Sequence, residues 1–309
     1  MTPLHRLLHS LRRSWTDGAR VQRVAFTVGA ALFVSGLVHL AVLAISGGPW
    51  TGPISLRKAA SFGLSFGLTL VTVAWVTHFI RLAPRLRLVL VGAFTAVCVV
   101  ETALVSMQAW RGRASHFNFE TGFDTAVSMS LAAGGFVIVA TIAGMTLAAM
   151  VAVAELTPAM RLALRFGFVT LVVALGVGFA MINVGSAAAR GPDPTLAYTT
   201  AGFLKPAHAV TMHAILVIPG LAWLVSFTRW SDGKQLRVVQ LGAFGYLLLS
   251  AVILVESFTR VSPFDAPAPA TAIALIGLFA LVTAGAMGLH GVFARPGTRR
   301  TSVPDGVRQ

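Results

Sequence analysis

The sequence predicts an all-α integral membrane protein with eight transmembrane helices, and two observations carry that prediction. Of 309 residues 56% are hydrophobic and only 11% charged, with a mean hydropathy of +0.81, whereas an ordinary soluble domain has about 25% charged residues. Runs of about 20 apolar residues, long enough to cross a hydrocarbon core, recur along the whole chain. A soluble enzyme is excluded by composition. Barrel strands are excluded too, because the runs are too long and too uniformly apolar.

Bounded by charges, Gly and Pro, the runs fall at about 24–46, 59–80, 87–110, 124–153, 162–184, 207–228, 238–259 and 268–292. Residues 1–23, with Arg6, Arg12, Arg13, Arg20 and Arg23, read as a basic cytoplasmic tail. The first run, Val24 to Ile45, exceeds the core of about 7–15 residues in a cleavable signal and reads as an uncleaved span. The expected organisation is a four-helix half at 24–155, a second at 156–293 and a basic tail at 294–309.

Formal net charge is +14, from 24 Lys and Arg against 10 Asp and Glu. The basic residues sit in short alternating loops without an aromatic-interleaved face. They therefore read as topology signals beside an anionic bilayer, and no nucleic-acid partner is expected. One side of the membrane receives only Arg57, Lys58, Arg111, Arg113, Arg190, Lys205 and Arg260. The positive-inside rule makes the other side, with both termini, cytoplasmic, and the compartment the cell membrane. The single Cys98 has no partner for a disulfide.

Both termini on one side allow a parallel duplication. Leu56-Arg57-Lys58-Ala59 aligns with Leu204-Lys205-Pro206-Ala207, and at the same offset Ala74-Trp75, Phe79 and Arg81 meet Ala222-Trp223, Phe227 and Arg229. A repeat of this kind predicts a pseudo-two-fold axis along the membrane normal and a site near the interface of the halves.

The outer loops carry the chemistry-bearing residues. Between the third and fourth spans stand Gln108, Arg111, His116, Asn118 and Asp124, a mixture of donors, acceptors and an imidazole. It reads either as a solvated loop with an Asp cap or as a lid over a polar pocket. Glu101 lies ten residues below Arg111, roughly 15 Å into the membrane at about 1.5 Å per residue. An acid at that depth is a functional candidate, here a catalytic or proton-carrying group, and Gln108 shares its helical face. Glu256, four residues before Arg260, reads as half of a local ion pair, with a ligand-binding role for the two as the alternative. Gly63 and Gly67 make a small-residue face for close helix packing.

His39, His116, His208 and His213 share one depth and are candidate ligands to haem or another metal. His208 and His213, five apart, point about 140° apart around one helix. No phosphate-binding loop, dinucleotide fingerprint, nucleophile elbow or H-E-x-x-H motif occurs.

Eight helices in four-plus-four halves, with histidines near the outer leaflet, resemble the architecture of haem A synthase, a membrane oxidase built as two four-helix bundles. That resemblance implies histidines from the even-numbered helices of each bundle. Here the fourth span has none, and His78 and His290 fall at the inner ends, so no ligand carries over. The string from Arg111 to Asn118 looks like a family signature of its own.

Three functions fit these residues. One is a haem- or metal-binding redox protein, with Arg57, Lys58, Arg111 or Lys205 beside the propionates. Another is a transporter or receptor for a small molecule or lipid, with Glu101 taking a proton or cation and Arg111 and Lys205 an anion. The third is an assembly scaffold that docks a partner on its outer loops.

Overall fold

The computed structural model describes residues 2–52, 54–151, 155–262 and 264–294. Among them are nine α-helices: α1 (Pro3–Thr16), α2 (Arg20–Ser46), α3 (Leu56–Val76), α4 (Pro84–Trp110), α5 (Gly122–Val151), α6 (Pro158–Ala189), α7 (Lys205–Val225), α8 (Asp232–Thr259) and α9 (Ala268–Phe293). The last eight are long and apolar enough to cross a membrane. Their outward surface is greasy where a soluble protein would be polar: Phe136 is 76% exposed and Phe279 74%. A multi-pass membrane protein is the architecture these helices support.

Local chemistry sets the boundaries. Proline occupies the first turn of α1, α4 and α6, where its missing N–H costs no helical bond. Ser55 caps α3 by accepting from the Arg57 N–H, and Thr157 caps α6 by accepting from Met160 N–H. Gly47 ends α2 at φ 63°, a left-handed cap that suits a residue without a Cβ.

Neighbour order repeats between halves. In the first, α2 packs on α3, α3 on α4, α4 on α5, and α2 also reaches α4. In the second, α6, α7, α8 and α9 pair in the same order, with an added α7–α9 contact. The halves meet where α5 touches α6 and α3 touches α7. At the end nearest α1, called here the tail end, Trp75 and Trp223 cross at 90° with ring centroids 6.4 Å apart, each with its own edge-on phenylalanine, Phe79 and Phe227.

Glycine brings α2 and α3 together. A Cβ on Gly63 would lie 2.7 Å from Gly36 Cα, and one on Gly67 2.5 Å from Phe33 N. The backbones touch, as the small-residue face predicts.

Residues 3–16, within the stretch expected to be a basic tail, form helix α1. Thr2 accepts from the His5 N–H, and Leu4, Leu8, Leu11 and Trp15 recur at helical spacing. The arginine count masks that period. Arg295, Arg299, Arg300 and Arg308, and the last two residues of the run expected at 124–153, lie outside the described residues.

Candidate functional site

At the far end, opposite α1, the segment joining α4 to α5 folds back onto the bundle, and its own hydrogen bonds show why. Asp124 in the first turn of α5 is fully buried. Its Oδ1 accepts from Gln108 Nε2 at 2.8 Å and from Arg111 Nη1 at 2.9 Å, and its Oδ2 accepts from Thr121 Oγ1 at 2.7 Å. The Arg111 guanidinium also donates to Gln108 Oε1 and lies 4.5 Å over the Phe123 ring. Asn118, also fully buried, forms a second knot. Its Nδ2 donates to Ala114 O, its Oδ1 accepts from Glu120 N–H, and its backbone N–H reaches Ser128 Oγ at 3.0 Å. Ser128 returns a donor to Asn118 O and Ser115 O.

Four predicted binding residues, Gln108, Arg111, Asn118 and Asp124, are thus engaged with one another and with the loop backbone. Their work is to hold the loop. What the loop presents is the next pair along. Phe117 takes φ 57°, a left-handed conformation that is costly for a bulky residue and persists only where its surroundings impose it. Its ring fills the space a Cβ on Gly185 of α6 would need. His116 turns the other way and packs on Phe62 of α3, ring centroids 5.7 Å apart.

His116 stands among basic side chains. Burial, and then the charges of Lys58 and Lys205, hold its imidazole well below the usual histidine range, so it stays neutral. Lys58, one turn before Phe62 on α3, is enclosed by protein on nearly every side while part of its surface stays accessible, as is His116. Arg57 lies within Coulombic reach of Lys205 across the interface of the halves, stacks 5.5 Å from the Trp50 ring, and has a buried Nε without a hydrogen-bond partner. Glu101 is only 4% exposed, within Coulombic reach of Lys58, and its carboxyl abuts Gly134 of α5. Among the described residues, neither lysine ammonium nor the Glu101 carboxyl has a hydrogen bond or ion pair. A cluster with excess, unpaired positive charge and a buried acid within its reach can hold an anion.

Neighbouring groups close the rim. Arg113 pairs with Glu120 at 2.9 Å, and Tyr198, from the short turn Pro194–Tyr198 after α6, donates to Glu120 Oε1 at 3.1 Å. One hydroxyl therefore ties the segment after α6 to the loop between α4 and α5.

The remaining candidates are placed elsewhere. His39 has both ring nitrogens engaged: Nδ1 lies 2.7 Å from Ser35 O, and Nε2 accepts from Trp110 Nε1 at 3.0 Å. The ion pair expected between Glu256 and Arg260 does not form among the salt bridges of the described residues. Arg260 ends α8 at φ 58°, which takes its side chain off the i,i+4 face, and its guanidinium lies 4.5 Å over Phe203. Glu256 stays buried at 7% exposure.

No family model matches the chain, and no match is found among curated proteins or solved structures.

Haem or metal must therefore be tested on the residues. Among those described, no three His, Cys, Asp or Glu side chains gather into a metal-binding group. His208 Nδ1 lies 2.9 Å from Ala174 O and His213 Nδ1 2.6 Å from Ala209 O, which leaves each Nε2 as the acceptor. A carbonyl on the second nitrogen is how metal-ligating histidines are often held. Yet the two leave one helix about 7.5 Å apart along its axis and about 140° apart around it, so they cannot face each other across one iron. With His39 engaged and His116 among cations, the four do not make an axial pair.

Residues that sequence reasoning missed are Phe117, its seat Gly185 on α6, and Ser128 on α5. An isolated glycine inside an apolar helix was the available signal, but it carries no address until its neighbour is known.

Proposed function

We propose that this protein is a membrane carrier or receptor for a small anion, bound at the far end between the two helical halves. One observation carries the reading: the charges of Lys58 and Lys205 both act on His116, and among the described residues neither lysine has a salt bridge or a hydrogen bond. Two desolvated ammonium groups with a neutral imidazole make a strong anion trap, and the loop that aims His116 is rigidly tied. Glu101 is the proton-exchanging group. An anion seated on Lys58 takes over the charge that Glu101 otherwise feels, so binding is coupled to proton uptake at the acid.

The partners of this reading are the lipid bilayer and the small-molecule ligand, with no nucleic acid. The distribution of Lys and Arg supports a cytoplasmic tail end, both termini inside and placement in the cell membrane. Repeated neighbour order and the crossed Trp75–Trp223 pair support a parallel four-plus-four duplication with its axis between α3 and α7. The redox alternative, with haem or metal, rests on the Nε2 acceptors of His208 and His213 and lacks a facing ligand. The scaffold alternative rests on the outer loops and leaves the unpaired lysines without a role.

Full-length protein in lipid nanodiscs, titrated calorimetrically at low ionic strength with octanoate and with inorganic phosphate, tests the reading. One of the two anions is expected to saturate, with Lys58→Met and Lys205→Met each weakening it at least tenfold. Glu101→Gln is expected to bind but to lose the proton uptake seen as a dependence of the heat on buffer ionisation. Saturation by neither anion, or wild-type binding in the double lysine variant, overturns it.

A further inference from the structure

The first helix has three faces, and they differ in chemistry. At about 100° per residue, Pro3, Leu7, Ser10 and Ser14 fall together with Arg6 at their edge, and these are its partly covered positions. Ser10 Oγ accepts from Trp223 Nε1 at 3.0 Å, and Arg6 donates to Phe227 O at 3.2 Å, so this face is pinned to the tail end of α7. A second face, Leu4, Leu8, Leu11 and Trp15, lies within an arc of about 60°, yet these side chains are 44–58% exposed. His5, His9, Arg12, Arg13 and Thr16 make the third face, and all are exposed.

The direction of the apolar face follows from its last member. Trp15 packs at a tilt on Phe26, ring centroids 6.1 Å apart, and shares an open groove with Arg20, Arg23, Val24, Thr27 and Val28, the outward side of the first turns of α2. That side of a spanning helix is the side lipid covers. Arg20 and Arg23 stand at the rim of the groove, and Val24 and Val28 line its wall. No acid occurs in α1.

We propose that α1 is an interfacial helix lying in the leaflet at the tail end, and that the groove between Trp15 and α2 holds an anionic phospholipid. Its phosphate sits between Arg20 and Arg23, and its acyl chain lies along Val24 and Val28. The apolar face enters the acyl boundary, the basic flank stays among headgroups, and the pinned face keeps the helix against the bundle. This is the geometry of an amphipathic helix at an interface, except that it is built into a polytopic protein. Its occupant is the bilayer, and the reading is independent of what the far-end cluster binds.

Hydrogen exchange of residues 3–16 in the full-length protein tests it, in nanodiscs of phosphatidylcholine alone and of phosphatidylcholine with phosphatidylglycerol. Exchange is expected to be at least threefold slower in the anionic discs. Arg20→Gln with Arg23→Gln should erase that difference while leaving α2 protected, and Leu8→Gln with Leu11→Gln should speed exchange in both lipids. Equal exchange in the two lipids, or indifference to the leucine substitutions, overturns the proposal. So does a disc that holds two copies with protection of α1 lost on dilution to one, which would make the face a contact between copies.

Discussion

Gly185→Ala puts one methyl group where the Phe117 ring now lies. The new Cβ would stand 2.5 Å from Phe117 Cζ, whereas carbon atoms settle at about 3.5–4.0 Å, so the ring must withdraw by about 1 Å. It cannot do so alone. Phe117 is held at φ 57° between His116 and Asn118, and the buried Asn118 is fixed by Ala114, Glu120 and Ser128. The displacement therefore passes to His116. Overpacking of this kind costs about 1–3 kcal/mol, and the anion site is expected to weaken about tenfold, or about 1.4 kcal/mol. Gly176→Ala is the matched control, on the same helix with nothing within 4 Å of the added carbon. Calorimetric titration of both variants with the anion that saturates the wild type, alongside circular dichroism for helix content, makes the comparison. Equal affinity of the two variants would refute the claim that the loop is aimed through Gly185.

The neutral His116 gives stability a pH dependence whose sign is fixed. Its folded-state pKa lies below that of the unfolded chain, so the unfolded state binds more protons. The contribution is complete above about pH 6.5 and is lost as pH falls; thermal stability in detergent should drop from pH 7 to 5, less steeply in His116→Asn, and parallel profiles would refute the assignment. In the α2–α3 seam, Gly67→Ala drives a carbon into Phe33 N and Gly29 O and should lose about 1–3 kcal/mol, read as a lower midpoint for heat-induced aggregation. Gly285→Ala, with open space around it, should leave that midpoint unchanged.

The eight spans were legible because lipid imposes one requirement on every stretch it touches, apolar side chains and internally satisfied backbone, and a run such as 268–292 meets it wherever it lies in the fold. The seclusion of Glu101 was legible too, since helix rise sets it about 15 Å along α4 from Arg111, and it is buried there. Small-residue packing at Gly63 and Gly67 could be read from spacing, because only close backbone approach uses it. The role of each polar residue could not be read in this way. Gln108, Arg111, Asn118 and Asp124 have the composition of a binding site, and only their hydrogen bonds, to one another and to the loop around Asn118, show them bracing the loop. Glu256 and Arg260 have the spacing of an ion pair, and one left-handed residue separates them. Lys58 and Lys205, far apart along the chain, become neighbours of His116 only when α3 and α7 come together. Backbone and solvent set the first class of facts, residue by residue. Contacts between distant segments set the second, because a side chain's chemistry depends on which neighbour satisfies it and which leaves it unpaired.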